Sequence, residues 1–257
     1  MERGFWKEYF CYGMNVTLAG ASGTVFTGTE IRIDSDADFE FHKSMFVATD
    51  GQIRIKLKDE AVGRYLTKNE IDIRTIAGTA LSGVAANGFT PFVWPRPYLI
   101  SKGSKIVVEA SDYSGSSNIF RLAFHGAKIR KGIAPWKKSY RAIVPFTYGI
   151  KETIGASSTV SSRIEIDSDS HFIVKKITGI STATYSYLVQ VKEGGTDRDW
   201  FNTPIHWDNI IGNGQFANNL SANRFLLRGS VLIFQLQNLL ASSKTAEINI
   251  IGEKLYE

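Results

Sequence analysis

Apolar and polar positions alternate with a period of two over much of the chain. Ile53-Arg54-Ile55-Lys56-Leu57-Lys58 puts apolar and basic residues on opposite sides, the pattern of a half-buried strand with a wet outer face. Ile71-Asp72-Ile73-Arg74 alternates the same way, and the stretches 105–109, 119–124, 185–192, 230–236 and 247–251 also read as strands. Asp50-Gly51, Asn87-Gly88, Gly194-Gly195 and Asn213-Gly214 break the runs with turn residues. No window carries a helical stripe over three turns; only 59–67 and 208–216 could form a short helix. The pattern predicts an all-β chain.

The strands are organised around one stretch that occurs twice. Ile31-Arg32-Ile33-Asp34-Ser35-Asp36-Ala37-Asp38-Phe39 returns as Ile164-Glu165-Ile166-Asp167-Ser168-Asp169-Ser170-His171-Phe172, with six of nine positions identical. Phe10-Cys11-Tyr12-Gly13 matches Phe146-Thr147-Tyr148-Gly149, Lys102-Gly103-Ser104 matches Arg228-Gly229-Ser230, and Gly126-Ala127-Lys128 matches Gly252-Glu253-Lys254. The offset falls from 136 (146 − 10) to 126 (252 − 126). The second copy is therefore shorter, with the loss expected between Phe172 and Asn213, where Asn213-Gly214 is paired with Asn87-Gly88. A repeat of this length is a whole small domain rather than a solenoid unit. The 257 residues divide into an N-terminal arm (1–9), a first domain (10–130), a linker (131–142) and a second domain (143–257). Many short strands with Gly and Asn turns give a β-sandwich in each half, and their number favours a jelly roll over an immunoglobulin domain. The expected interior includes Ile31, Ile33, Phe39, Val107, Leu122, Ile164, Ile166, Phe172, Leu232, Phe234, Ile248 and Ile250.

Composition excludes little but narrows the chemistry. The net charge of +5 is mild. Its one cluster, from Lys128 to Arg141, reads as a solvated connector, so nucleic acid is not expected as a partner. Cys11 is the single cysteine, so an intrachain disulfide is impossible, which fits folding in a reducing cytosol. No apolar run approaches a membrane span. Asp34, Asp36 and Asp38 have the alternating spacing of a calcium loop, but Phe39 and Met45 stand where an EF-hand needs Gly and Glu. They are weak metal candidates at best, and a turn in which Asp side chains bond local backbone is the plainer reading. His42, His125, His171 and His206 form no ligand pair, and His125 corresponds to Ile251, a packing position. No nucleophile elbow or phosphate loop occurs. The expectation is a non-enzyme without cofactor. Trp94, Trp136, Trp200 and Trp207 lie near strand ends and raise sugar binding as an alternative. Phe5, Trp6, Trp94 and Trp136 lie outside the repeated strands and are the expected contact residues.

The repeated order of acidic turn, Phe, Asn-Gly, Lys/Arg-Gly-Ser and Gly-x-Lys resembles small jelly-roll structural proteins of bacteriophage virions, best over 164–172, 197–214 and 228–256. That resemblance implies a non-enzymatic capsid, decoration or collar protein located in the virion. It would assemble with itself and with other virion proteins. A double jelly-roll major capsid protein is the related alternative. Two similar sandwiches per chain suit a trimer, which presents six similar bricks around one axis.

Overall fold

Each half of the chain is a set of nested antiparallel strand pairs. The computed structural model describes residues 4–19, 24–49, 52–78, 90–182, 187–196 and 198–257. The first half contains β1 (Phe5–Leu18), β2 (Thr24–Arg32), β3 (Asp38–Ala48), β4 (Ile53–Asp59), β5 (Arg64–Tyr65), β6 (Ile71–Asp72), β7 (Phe92–Ile100), β8 (Lys105–Asp112) and β9 (Asn118–Lys131). One sheet has the order β1-β9-β3-β7; the other is β2-β8-β4-β5, with β6 also on β4. The first strand pairs with the last, the second with the next to last, and so inward: this is the jelly roll. The second half contains β10 (Ala142–Ile154), β11 (Thr159–Glu165), β12 (His171–Ser181), β13 (Tyr187–Glu193), β14 (Ile205–His206), β15 (Asn218–Leu226), β16 (Val231–Asn238) and β17 (Lys244–Tyr256). Its sheets, β10-β17-β12-β15 and β11-β16-β13-β14, have the same nesting. The protein is all-β, with two jelly-roll sandwiches.

The two halves share several irregularities of register, although the shift between Phe26 and Thr29 on β2 has no counterpart on β11. β3 carries a bulge between Phe41 and Lys43, and β12 carries one between Val174 and Lys176. A 3-10 turn at Ile73–Thr75 (η1) is matched by one at Trp207–Asn209 (η2), each capped by the side chain before it, Asp72 or His206. Gly78 then bridges to Met45 as Gly212 bridges to Thr178. The offset is therefore still 134 (212 − 78) at these glycines, and it is 126 (218 − 92) where β7 and β15 begin. The shortening lies after Gly212, not between Phe172 and Asn213 as expected. Asn87-Gly88, Asp50-Gly51 and residues 185–186 lie outside the described residues. The two stretches read as possible helices are not helical. In 59–67 the Asp59 side chain accepts from the Ala61 N–H and Gly63 turns the chain at φ +63, leading into β5. In 208–216 only the end of the η2 turn is helical.

The first core gathers Phe10, Tyr12, Met14, Ile31, Ile33, Phe39, Phe41, Leu57, Ile106, Val108, Phe120 and Leu122, among others. The second gathers Ile164, Ile166, Phe172, Val189, Trp200, Leu232, Phe234, Ile248 and Ile250, and it also takes in Tyr9, Cys11, Met45 and Ala123 from the first half. Eleven of the twelve expected core residues are buried; Val107 is the exception. β8 turns Ile106 and Val108 inward, and three consecutive apolar residues give no period from which to choose the face. β1 begins at Phe5, paired with Lys131, so residues 5–9, read as an arm, are strand. Residues 132–141 connect β9 to β10.

Candidate functional site

The acidic turns build the same corner in both halves. In the first, Lys128 Nζ lies 2.7 Å from Asp34 Oδ2 and 3.1 Å from Asp36 Oδ1, and Arg130 Nη1 lies 2.7 Å from Asp36 Oδ2. The Asp34 N–H donates to the Tyr12 hydroxyl at 2.9 Å, and Asp38 Oδ1 accepts from the Lys102 N–H at 2.9 Å. The Lys128 ammonium sits 4.0 Å above the Phe10 ring, a cation–π contact. In the second half Lys254 bonds Asp167, with Asp169 at 3.7 Å and the Phe146 ring at 4.2 Å. Tyr148 takes the place of Tyr12, accepting from the Asp167 N–H at 3.2 Å. Each tyrosine stacks edge-on against the repeated phenylalanine, Tyr12 on Phe39 and Tyr148 on Phe172. Gly126 and Gly252 lie against those rings; a Cβ there would strike the Glu40 or Ile173 carbonyl oxygen. Gly103 and Gly229 close the corner in the left-handed region, at φ +73 and +70.

The separate blocks of the sequence repeat thus meet in one place. A lysine ammonium stands between the carboxylates where a cation would have to bind, and Asp38 is turned onto backbone. Against the cost of burial, Lys128 and Arg130 hold the Asp36 carboxyl below its ordinary range; the Lys254 bond does the same for Asp167. Among the described residues no group of three His, Cys, Asp or Glu side chains is placed to hold a metal ion.

A second constellation joins the sandwiches. Phe10, Tyr12, Met14 and Leu18 of β1 enter the first core, and Tyr9 and Cys11 enter the second. The Cys11 N–H donates to the Trp200 carbonyl at 3.1 Å, and Asn202 brackets Gly13, accepting from its N–H at 2.7 Å and donating to its carbonyl at 3.1 Å. Beside this seam Glu8 is buried among three arginines. Arg198 bonds it directly, Arg130 Nε lies at 3.2 Å and Arg224 Nη1 at 3.4 Å. Arg224 is itself buried, and it also donates to Glu193 Oε1 at 2.8 Å and to the Tyr9 carbonyl at 3.2 Å. The equivalent pair in the first half is Tyr98 with Asp59, whose carboxylate accepts from the hydroxyl at 2.9 Å. Sequence reasoning missed Glu8, Arg198 and Arg224. The available signal was the unbroken run from Tyr9 to Met14, apolar apart from Gly13, which marks a strand covered on both faces. Burial pushes the Cys11 thiol well up, which makes it inert packing.

His125 is part of this seam, as packing at a position where the other half has Ile251. Its Nδ1 lies 2.9 Å from the Tyr9 hydroxyl and its Nε2 2.8 Å from the Asn209 carbonyl oxygen, so Nε2 carries the proton and Nδ1 accepts. Burial, with the nearby Lys43 charge second, pushes its pKa down from 6.5 to about 3. The unfolded chain binds this proton more readily than the folded one. Stability from the neutral ring is full above pH 6.5 and falls as pH drops toward 3, by about 1.4 kcal/mol per unit. Urea titrations at pH 6.5 and 5 should differ by roughly 2 kcal/mol, and His125→Gln should remove this part of the difference. An unchanged difference in the variant would mean that other groups carry it.

The expected contact residues Phe5, Trp6, Trp94 and Trp136 stand in different settings. Phe5 is 66% exposed. Trp6 stacks edge-on against Trp136 at 5.4 Å, and Trp136 also meets Phe225 over the small cluster of Ile173, Phe225 and Leu255. Trp94 donates its indole N–H to Ser44 Oγ at 3.0 Å and packs on Phe41 at 5.0 Å. Trp200 and Trp207 are buried. These aromatic rings are engaged in packing inside the chain, and only Phe5 among the four candidates is broadly open.

No protein-family model matches the chain, and no curated protein does. Among solved structures, it is similar to one described as the triple jelly roll fold and turret assembly in an archaeal virus. The identity is 13%, over 95% of this chain and 60% of that one, with a TM-score of 0.30. This chain therefore spans about 60% of the length of that protein. The crystal structure of the STIV MCP is 11% identical over 95% of this chain and 96% of that one, with a TM-score of 0.26. An atomic structure of Sulfolobus Turreted Icosahedral Virus is 10% identical over 95% and 90%, with a TM-score of 0.24. The jelly-roll assignment rests on this chain's own strand order.

Proposed function

We propose that this protein is a non-enzymatic structural component of a virus particle, a bacteriophage virion protein of capsid, decoration or collar type that assembles as a homo-oligomer. The observation that carries this reading is the use made of the repeated residues. Asp34, Asp36, Lys128 and their counterparts Asp167, Asp169 and Lys254 are ion-paired to one another at a sheet corner. What the sequence writes twice is architecture. Two jelly rolls welded by a buried seam make a rigid brick with two similar sets of surfaces, suited to a lattice or ring. A trimer would place six sandwiches around one axis, as a double jelly-roll major capsid protein would also require.

The test is composition and mass. Purified particles should contain the chain in many copies, and the isolated protein should gain mass with concentration, without dependence on chelator. A chain absent from particles and monomeric at every concentration would refute the reading. Retention on a glycan array would favour the sugar-binding alternative.

A further inference from the structure

The contact between the sandwiches joins two different surfaces. The second sandwich gives an edge: residues 198–202, β14, η2 and β15. The first gives the outer face of β1, β9 and β3. Among the described residues, the matching edge of the first sandwich (β5, β6, η1 and β7) and the matching face of the second (β10, β17 and β12) have no such cover from a sandwich edge; only the linker residues Trp136 and Tyr140 pack at one end of that face, on Ile173, Phe225 and Leu255. Val93 and Leu99 stand open on that edge, 60% and 55% exposed, and Ile143 and Ile180 on that face, 57% and 55%. We propose that the open edge of one copy docks on the open face of a second copy, so that the contact between chains repeats the contact within each. This rests on the assembly reading above and names the surface it uses.

The register supplies the pairing. Lys43 Nζ donates to the Asn219 carbonyl at 2.7 Å. The bulges place Lys176 where Lys43 stands, and Val93 pairs with Lys43 as Asn219 pairs with Lys176. Lys176 of one copy thus meets the Val93 carbonyl of the next. Gly13 has no Cβ, and the Ile205 side chain fills that space; Gly149 and Ile71 repeat the pair by residue type. Gly149 is exposed, with the Asn249 side chain and the Ile248 carbonyl oxygen nearest to it. The buried ions are not repeated, because Val144 corresponds to Glu8 and Tyr98 to Arg224. Leu66 corresponds to Trp200 and Thr67 to Phe201, so the apolar area is smaller as well. The contact between copies is the weaker and reversible version. Being head-to-tail, it closes into a ring if the rotation allows and otherwise grows as a filament.

Single-cysteine pairs test it. Cys11 is buried, whereas Val93 and Lys176 are exposed. Val93→Cys and Lys176→Cys are made in separate full-length chains, mixed at a concentration where the wild type assembles, and treated with a short bis-maleimide, which spans the length of the lysine it replaces. The mixture should yield cross-linked pairs on the order of tenfold above either variant alone, because docking raises the local thiol concentration. A chain with both substitutions should link into closed species of fixed size, or into a ladder if the contact does not close. Assembly by mass with no excess linkage in the mixture overturns this interface and leaves the assembly reading standing. Equal linkage in one variant alone would mean a two-fold contact and also overturns it. A wild type that neither assembles nor enters particles overturns both.

Discussion

Replacing Arg224 by alanine is expected to cost about 3–5 kcal/mol and to separate the two sandwiches. The guanidinium is buried between Glu8 and Glu193 and bonds the Tyr9 carbonyl. Its loss leaves two carboxylates in the seam with fewer partners and one backbone carbonyl unmet. Arg198 and Arg130 still reach Glu8 but are themselves part-exposed, so they screen it less. Urea titration should read the loss directly. The single transition expected of the intact chain should split in two, and protease should gain access to residues 132–141. A loss under about 1 kcal/mol, the scale of a surface pair, would show that the seam does not depend on this ion cluster.

Phe39→Ala and Phe172→Ala should each cost about 3–5 kcal/mol by leaving a cavity in a close-packed core. Both rings are fully buried, each is met edge-on by a tyrosine, and each fills the space left by a glycine in the neighbouring strand. The backbone around that glycine cannot collapse into the hole without breaking the β3–β9 or β12–β17 ladder, which places the cost at the upper end. Matched losses in the two variants would show equal work by the two corners. A loss below about 1 kcal/mol in either would exclude that ring from the core.

The repeat, the sheet class and most of the interior were legible because they are local. A period of two within one strand decides which residues share a face, and Ile31 through Phe39 returns nearly intact at Ile164 through Phe172. Two things were not. Ile71 to Gly78 corresponds to Ile205 to Gly212, but only the two isoleucines at 71 and 76 and the glycine are kept, too few to outweigh the attractive match of Asn87-Gly88 with Asn213-Gly214. The seam joins Glu8 to Arg198 and Arg224, about 200 positions away, and no local pattern specifies a contact at that separation. The acidic turn was legible as a turn; that Lys128 and Lys254 complete it follows only when β9 and β17 are laid beside β3 and β12.

The doubly covered first strand also sets a schedule. All partners of β1 within its own sandwich have been synthesised once Lys131 is made, but the last element to cover its other face, β15, ends at Leu226, 95 residues later (226 − 131). At roughly 5–20 residues per second that is a wait of roughly 5–20 s. Throughout it, a finished first jelly roll presents Tyr9, Cys11, Met45 and Ala123 to solvent. The nascent chain is at its most adhesive then, and a ribosome that stalls inside the second half leaves a folded but sticky product.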